Sequence, residues 1–284
     1  MSDAFFTPER LAALRVHPAF HEGILHHARG NLALYGRCSV FERWLISDLG
    51  RAALSAAALI LDAMPGGLTA DALYAGAAAN RICSRGRVTA YLGRCELQGF
   101  LEPKAGGEAA ERQLELTPKF LAPMVGALLN MLGAVTKLET SIAPALERLA
   151  RLEEAALRRT FFAWLGALSA TRPDLFNGPD KPVMLFLARD GGSRVLEHFL
   201  TQQPSDSRQL LASAPLSRSA LARASFTSRT HVARLLEDGQ SQALLTCSND
   251  RVVFSPELSE DIERHYANMF ELTRASALMA LQGA

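Results

Sequence analysis

One stretch of this chain occurs twice. Ser84 to Leu101, SRGRVTAYLGRCELQGFL, aligns without a gap on Ser228 to Leu245, SRTHVARLLEDGQSQALL, at a constant offset of 144 positions. Ser84 meets Ser228, Arg85 meets Arg229, Val88 meets Val232, Leu92 meets Leu236, and Phe100-Leu101 meets Leu244-Leu245. A unit used twice restricts the fold to architectures built around two like modules, since each copy carries the same apolar face to bury.

The surroundings of each copy repeat as well. Leu68-Thr69 and Leu216-Ser217 each place a capping hydroxyl before a short helix whose apolar contacts are Ala72-Leu73 and Ala220-Leu221. A second helix is expected from Ser84 in one copy and from Thr227 or Ser228 in the other. Its buried face is spaced i, i+4, i+7: Val88, Leu92, Cys95 and Val232, Leu236, Gly239. Phe100-Leu101 and Ala243-Leu244-Leu245 read as short strands. They are followed by polar loops, Lys104–Ala110 and Cys247–Asp250, and by alternating strands at Arg112–Leu116 and Arg251–Phe254. Thr117-Pro118 and Ser255-Pro256 then open a further helix. From Pro118 to Pro256 the offset falls to 138, so copy two is six residues shorter, all in the loop between the strands. Helix, turn, helix, strand, loop, strand, helix is the order of a winged helix.

These residues resemble the MarR-type winged-helix transcription regulators. The resemblance rests on Ser84-Arg85, Val88-Thr89, Leu92, Gly99-Phe100-Leu101 and Leu116-Thr117-Pro118. In copy two it rests on Ser228-Arg229, Val232, Leu235-Leu236, Leu244-Leu245 and Phe254-Ser255-Pro256. Glu111-Arg112 and Asp250-Arg251 look like the acidic–arginine pair of that family's wing. The resemblance covers about 50 residues per copy. It implies duplex DNA as partner, an effector pocket between the winged units and the long helices, and homodimers of one winged helix per chain. Two copies in one chain leave open an intrachain pair or a dimer of chains. Copy two departs from the pattern: Ala243 stands where copy one has Gly99, so a different helix exit is expected there, and Gly239 weakens the helix interior.

Charge follows the repeat. The net charge is only +1, yet Arg81, Arg85, Arg87 and Arg94 lie in a stretch without acids, and so do Arg218, Arg223, Arg229 and Arg234. Basic charge concentrated on both helix pairs suits a phosphate-facing surface. The expected DNA contacts are Ser84, Arg85, Arg87, Thr89, Arg94 and Arg112 in copy one. Copy two offers Ser228, Arg229, His231, Arg234 and Arg251. An arginine can bond guanine N7 and O6 together, which discriminates by ~1–3 kcal/mol per pair.

At 49% apolar and 21% charged residues, 284 in all, the chain has the composition of a globular protein with room for two domains. Cys38, Cys83, Cys95 and Cys247 form no C-x-x-C spacing, so neither a zinc site nor a disulfide framework is expected, and a reduced, cytoplasmic protein is the simple reading. His17, His21, His26 and His27 lack further ligands for a metal. No nucleophile elbow, phosphate loop or paired carboxylates appear, so no enzyme and no cofactor are expected. No secretory leader is recognised. Phe120–Thr136 is an uncharged run of seventeen residues read as a buried or dimer-forming helix rather than a membrane span.

Ala4–Tyr35 reads as helical. Phe41–Met64 is expected as one long first helix of copy one, with Leu185–Leu200 as its counterpart. Asp48-Leu49-Gly50-Arg51 is echoed by Asp190-Gly191-Gly192-Ser193-Arg194, read as a helix start or bend. Leu138, Ile142, Ala145, Leu149, Leu152 and Ala156 make a short heptad-like pattern in the helical middle. Those helices either pack the two units together or pair two chains. Arg172–Asp174 and Asn177–Pro182 form the clearest linker. The expected organisation is a helical segment at 1–40, a first winged helix at 41–120, a helical connector at 121–182 and a second winged helix at 183–284. The fold expected is mostly α with small β-hairpin wings, two tandem winged helix-turn-helix domains joined by long helices. The expected function is sequence-specific binding of duplex DNA as a transcription regulator. The rival is an adaptor or replication initiator whose tandem winged helices bind protein partners or origin DNA.

Overall fold

The computed structural model describes residues 5–80, 82–104, 112–151, 154–171, 181–203 and 209–283. The chain is mostly helical with two small antiparallel sheets. It begins with α1 (Pro8–Arg15), α2 (Phe20–Arg37) and α3 (Val40–Leu45). Copy one follows as α4 (Leu49–Ala63), β1 (Leu68–Thr69), α5 (Ala70–Ala79), α6 (Arg85–Leu97), β2 (Leu101–Pro103) and β3 (Gln113–Leu116). The middle holds α7 (Pro118–Thr136), α8 (Ala143–Leu149) and α9 (Ala155–Thr171). Copy two runs α10 (Met184–Leu187), α11 (Gly192–Thr201), β4 (Ser213–Pro215), α12 (Arg218–Ala224), α13 (Arg229–Ser241), β5 (Leu245–Cys247) and β6 (Arg251–Phe254), and α14 (Pro256–Gln282) closes the chain.

Both copies therefore share one order: helix, strand, two helices, and two strands that pair as a hairpin. In each sheet the last strand lies between the other two, β1-β3-β2 and β4-β6-β5. The registers match in kind, with Leu101 opposite Leu116 and Leu68 opposite Leu114, then Leu245 opposite Phe254 and Ala214 opposite Val252. The strands β1 and β4 have no counterpart among the sequence expectations. Two or three residues are too few for an alternating pattern to show. The second strand of each copy also begins later than expected, because Phe100, Ala243 and Leu244 are spent on leaving the preceding helix.

The local signals hold where chemistry is local. Ser84 caps α6 by accepting the Arg87 amide, and Ser228 caps α13 by accepting the His231 amide. Thr69 and Ser217 do the same for α5 and α12. Val88, Leu92, Cys95, Val232, Leu236 and Gly239 are all buried. Thr117 differs. Its hydroxyl donates to the carbonyls of Gly99 and Phe100 and leaves α7 without a side-chain cap, whereas Ser255 caps α14 as expected.

Copy two leaves its helix just as copy one does, contrary to the expectation from Ala243. Gly99 has φ +69° and Ala243 φ +56°. Phe100 N–H donates to Cys95 O and Leu244 N–H to Gly239 O, closing the same helix-ending turn. Ala243 accepts the left-handed conformation at a cost of ~1 kcal/mol, because Leu244 and Leu245 behind it are buried. Gly239 is explained too: a Cβ there would lie 2.8 Å from Leu245 Cδ2 and 2.9 Å from Leu185 Cδ2.

Both expected long first helices are broken, and at matching places. Copy one breaks between α3 and α4, where Asp48 caps the new helix. Copy two breaks between α10 and α11, where Gly191 takes φ +69° and a Cβ on Gly192 would sit 2.1 Å from Phe186 O. The two breaks dock on each other. Gly191 N–H donates to Ser47 O at 2.7 Å, Arg194 donates to Ile46 O, and Arg51 meets Asp190 at 3.3 Å. Arg51 and Arg194 stand at corresponding places and each reaches the other copy's break, as like residues do across a two-fold contact.

The expected helix over Ala4–Tyr35 is also two helices, with Pro18 between α1 and α2. The heptad-like pattern crosses a 3₁₀ turn at Thr140–Ile142, and Pro144, which has no amide hydrogen, starts α8 anew. Ile142, Ala145 and Leu149 are buried within the chain, and Leu152 lies outside the described residues. Also outside them are Ala4, Arg81, most of the loop between β2 and β3 with Glu111 (residues 105–111), and residues 172–180 of the expected linker. The helix Pro118–Thr136 is long and apolar enough to cross a membrane by length and composition, and it packs here against α2 and α14. One contiguous core joins residues of both copies and of the middle helices.

A polar cluster, with His27 and Glu197 buried and Asn31 and Asn130 half-buried, ties α2, α7 and α11. Asn31 Nδ2 donates to His27 Nε2 and to Glu197 Oε1, both at 2.9 Å, and Asn130 Nδ2 donates to Asn31 Oδ1 at 2.8 Å. A Cβ on Gly30 would fall 1.8 Å from Asn130 Oδ1, so only glycine admits that amide. Burial lowers the His27 pKa from 6.5 to about 3 and the His265 pKa to about 4, while burial raises that of Glu197.

Two outcomes follow. Ala243→Gly raises the urea-unfolding stability by about 1 kcal/mol, since glycine takes positive φ without strain; an unchanged or lower midpoint contradicts the strained exit. The depressed His27 and His265 values mean that their contribution is complete above pH about 6.5 and is lost as pH falls toward about 3–4. Thermal unfolding followed across that window shows Tm falling, with a shallower fall for His27→Gln; parallel curves for the two proteins contradict the assignment.

Candidate nucleic-acid interface

The second helix of each pair, α6 and α13, turns one face to the core and the rest to solvent. On α6 the capping of Ser84 sets the start of the helix, so Arg85, Arg87 and Thr89 fall outside the face formed by Val88, Tyr91, Leu92 and Cys95. The structure exposes all three, but their polar groups are largely engaged. Arg85 meets the Asp71 carboxylate at 2.6 Å, and its guanidinium lies 5.1 Å from the Tyr74 ring centre. Arg87 meets Asp48 at 3.1 Å. Thr89 donates its hydroxyl back to Arg85 O at 3.1 Å.

Arg94 and Arg112 are held elsewhere. The Arg94 guanidinium stacks 4.5 Å above Trp44. It lines a groove with Phe41, Gln98 and Lys119, away from the helix start. Arg112, at the base of the hairpin, meets Glu96 at 2.6 Å. Each described arginine expected to contact DNA in copy one thus has a carboxylate or an aromatic ring as its partner. Those partners carry no local sequence signal. Asp48 and Asp71 lie 39 and 14 positions from their arginines, and no local spacing rule reaches that far.

Copy two is different in charge although alike in form. Arg218, Arg223, Arg229 and Arg234 are exposed on α12 and α13. Among the described residues none of the four has an acidic partner. Arg251, on β6, donates to the Ser213 hydroxyl at 2.8 Å and remains exposed. His231 is not the outward residue that helical spacing suggests. It is half-buried, and its Nε2 is shut off from solvent without a hydrogen-bond partner. The nearby acid Asp238 is taken up by an ion pair with Arg189. Arg218 and Arg223 thus join the exposed basic set, and the acid-free run from 218 to 234 is the signal that finds them.

Phe226, with φ +54°, makes the turn between α12 and α13. Its half-exposed ring packs 5.6 Å from Tyr35 and 4.4 Å from the Arg43 guanidinium, both N-terminal to α4. The helix pair of copy two is therefore braced by residues on α2 and α3. No group of metal-ligating side chains is found among the described residues, and the four cysteines are unbonded. Comparison with protein-family models, with curated proteins and with solved structures finds no match to this chain.

Proposed function

We propose that this protein binds duplex DNA as a transcription regulator, through two winged helices carried on one chain. The observation that carries the reading is the set of exposed arginines without acidic partners among the described residues, Arg218, Arg223, Arg229 and Arg234 in the acid-free run 218–234, set beside a β-hairpin in a helix–strand–helix–helix–strand–strand unit. A helix that starts at a capped turn and presents arginines to solvent is of the kind that enters a major groove. An arginine-rich face without carboxylates releases counterions when it meets phosphate. The sequence resemblance to MarR-type regulators supports the same reading. The reciprocal Arg51 and Arg194 contacts support the two copies acting as a pair within one chain, in the place of two subunits.

A protein-binding adaptor is the second reading. The neutralised arginines Arg85, Arg87 and Arg112 of copy one favour it. Salt dependence separates the two. Fluorescence anisotropy with labelled duplex shows affinity falling steeply with added salt, with a log–log slope of about 0.9 per phosphate contacted. A flat response, or no binding at low salt, favours the adaptor. Arg229→Ala with Arg234→Ala lowers affinity by about tenfold or more, with the circular dichroism spectrum intact. Wild-type affinity in that double variant removes α13 from the interface.

A further inference from the structure

The two copies part company where the first helix of each pair begins. Copy one reads Thr69-Ala70-Asp71 and copy two reads Ser217-Arg218-Ser219, with Thr69 and Ser217 as the matched caps. Arg85 and Arg229 are matched residues on the helix that follows. In copy one the Asp71 carboxylate closes on Arg85 at 2.6 Å. In copy two the place of Asp71 is held by Ser219, and the place of Ala70 by a second arginine. A groove of about 540 Å³ opens there, lined by Arg218, Ser219, Arg229, Thr230 and Asn249. Among the described residues neither guanidinium has an acidic partner. Asp250, beside Asn249, is exposed and bonds the Leu216 amide through its backbone carbonyl.

Two like charges in one groove repel each other, and an anion between them relieves that cost. Guanidinium forks match phosphate oxygens in geometry, while hydroxyl and carboxamide groups supply further donors. We infer that this groove seats a phosphodiester of the duplex backbone, and that copy one, closed by Asp71, has no such seat. The inference rests on the duplex-binding reading and refines it: the chain holds the backbone with one copy rather than with two equal ones.

The test exchanges the residues that differ. Ser219→Asp places a carboxylate against Arg229 as Asp71 stands against Arg85. The helix start tolerates it, because an acid is favourable in a first turn. The full chain and its variants are titrated with labelled duplex across a range of salt. Ser219→Asp weakens binding by about tenfold and lowers the log–log salt slope by about one contact, while Asp71→Ser changes affinity by less than about twofold. Arg218→Gln with Arg229→Gln replaces Ser219→Asp if that protein is misfolded by circular dichroism. Wild-type binding by the groove variants overturns the seat and leaves duplex binding standing. If no duplex binds, inorganic phosphate is added and amide shifts are followed by NMR. Saturable shifts at Arg229 and Thr230 keep the anion seat and remove the duplex reading; no shifts remove both.

Discussion

The contact on which the arrangement depends is the seating of one helix break against the other. Arg194 is buried there, and its guanidinium lies 4.1 Å from the centre of the Tyr35 ring while donating to Ile46 O. Burying a guanidinium costs several kcal/mol unless it is bonded and stacked. The carbonyl left open at the end of α3 supplies the acceptor, and Tyr35 on α2 supplies the face. A continuous helix through Ile46–Asp48 has no free carbonyl to offer. The interruptions are thus the means by which the two copies recognise each other.

Around that junction the polar cluster of His27, Asn31, Asn130 and Glu197 sets the register of three helices. Each amide in it has a specific partner, and the close approach of α7 to α2 is permitted by the bare Cα of Gly30. Apolar packing alone tolerates small slips along a helix axis. A half-buried amide bonded to a buried His27 or Glu197 does so less readily, because a slip costs those buried groups their partner. The middle helices α7 and α9 pack on α14, α9 packs on α4 as well, and one core runs through both copies and these helices.

Within this frame the copies are alike in backbone and unlike in charge. Asp48 serves at once as the cap of α4 and as a counter-ion for Arg51 and Arg87. The corresponding acid, Asp190, stands at the exposed rim and pairs with Arg51 of copy one, so Arg218, Arg223, Arg229 and Arg234 of copy two have no acidic partner among the described residues. Exposed ion pairs contribute little to stability. Their weight lies in the field they cancel, which is what a phosphate backbone would meet first.

Features set by neighbours a few residues apart are written in the chain directly. These are the serine and threonine caps, the buried i, i+4, i+7 faces, the hairpins after each second helix, and the acid-free arginine runs. Hydrogen bonds between a cap and the amide three residues on, and the pitch of a helix, need no other part of the chain. Other features arise only when distant segments meet. Both first helices break, Ala243 takes a glycine's conformation, His231 turns inward, and copy one's arginines have acidic or aromatic partners. The arginine partners and the docked breaks depend on groups from 14 to 148 residues away, where the free energy of burial or charge pairing outweighs the local preference, and no spacing within one helix encodes them.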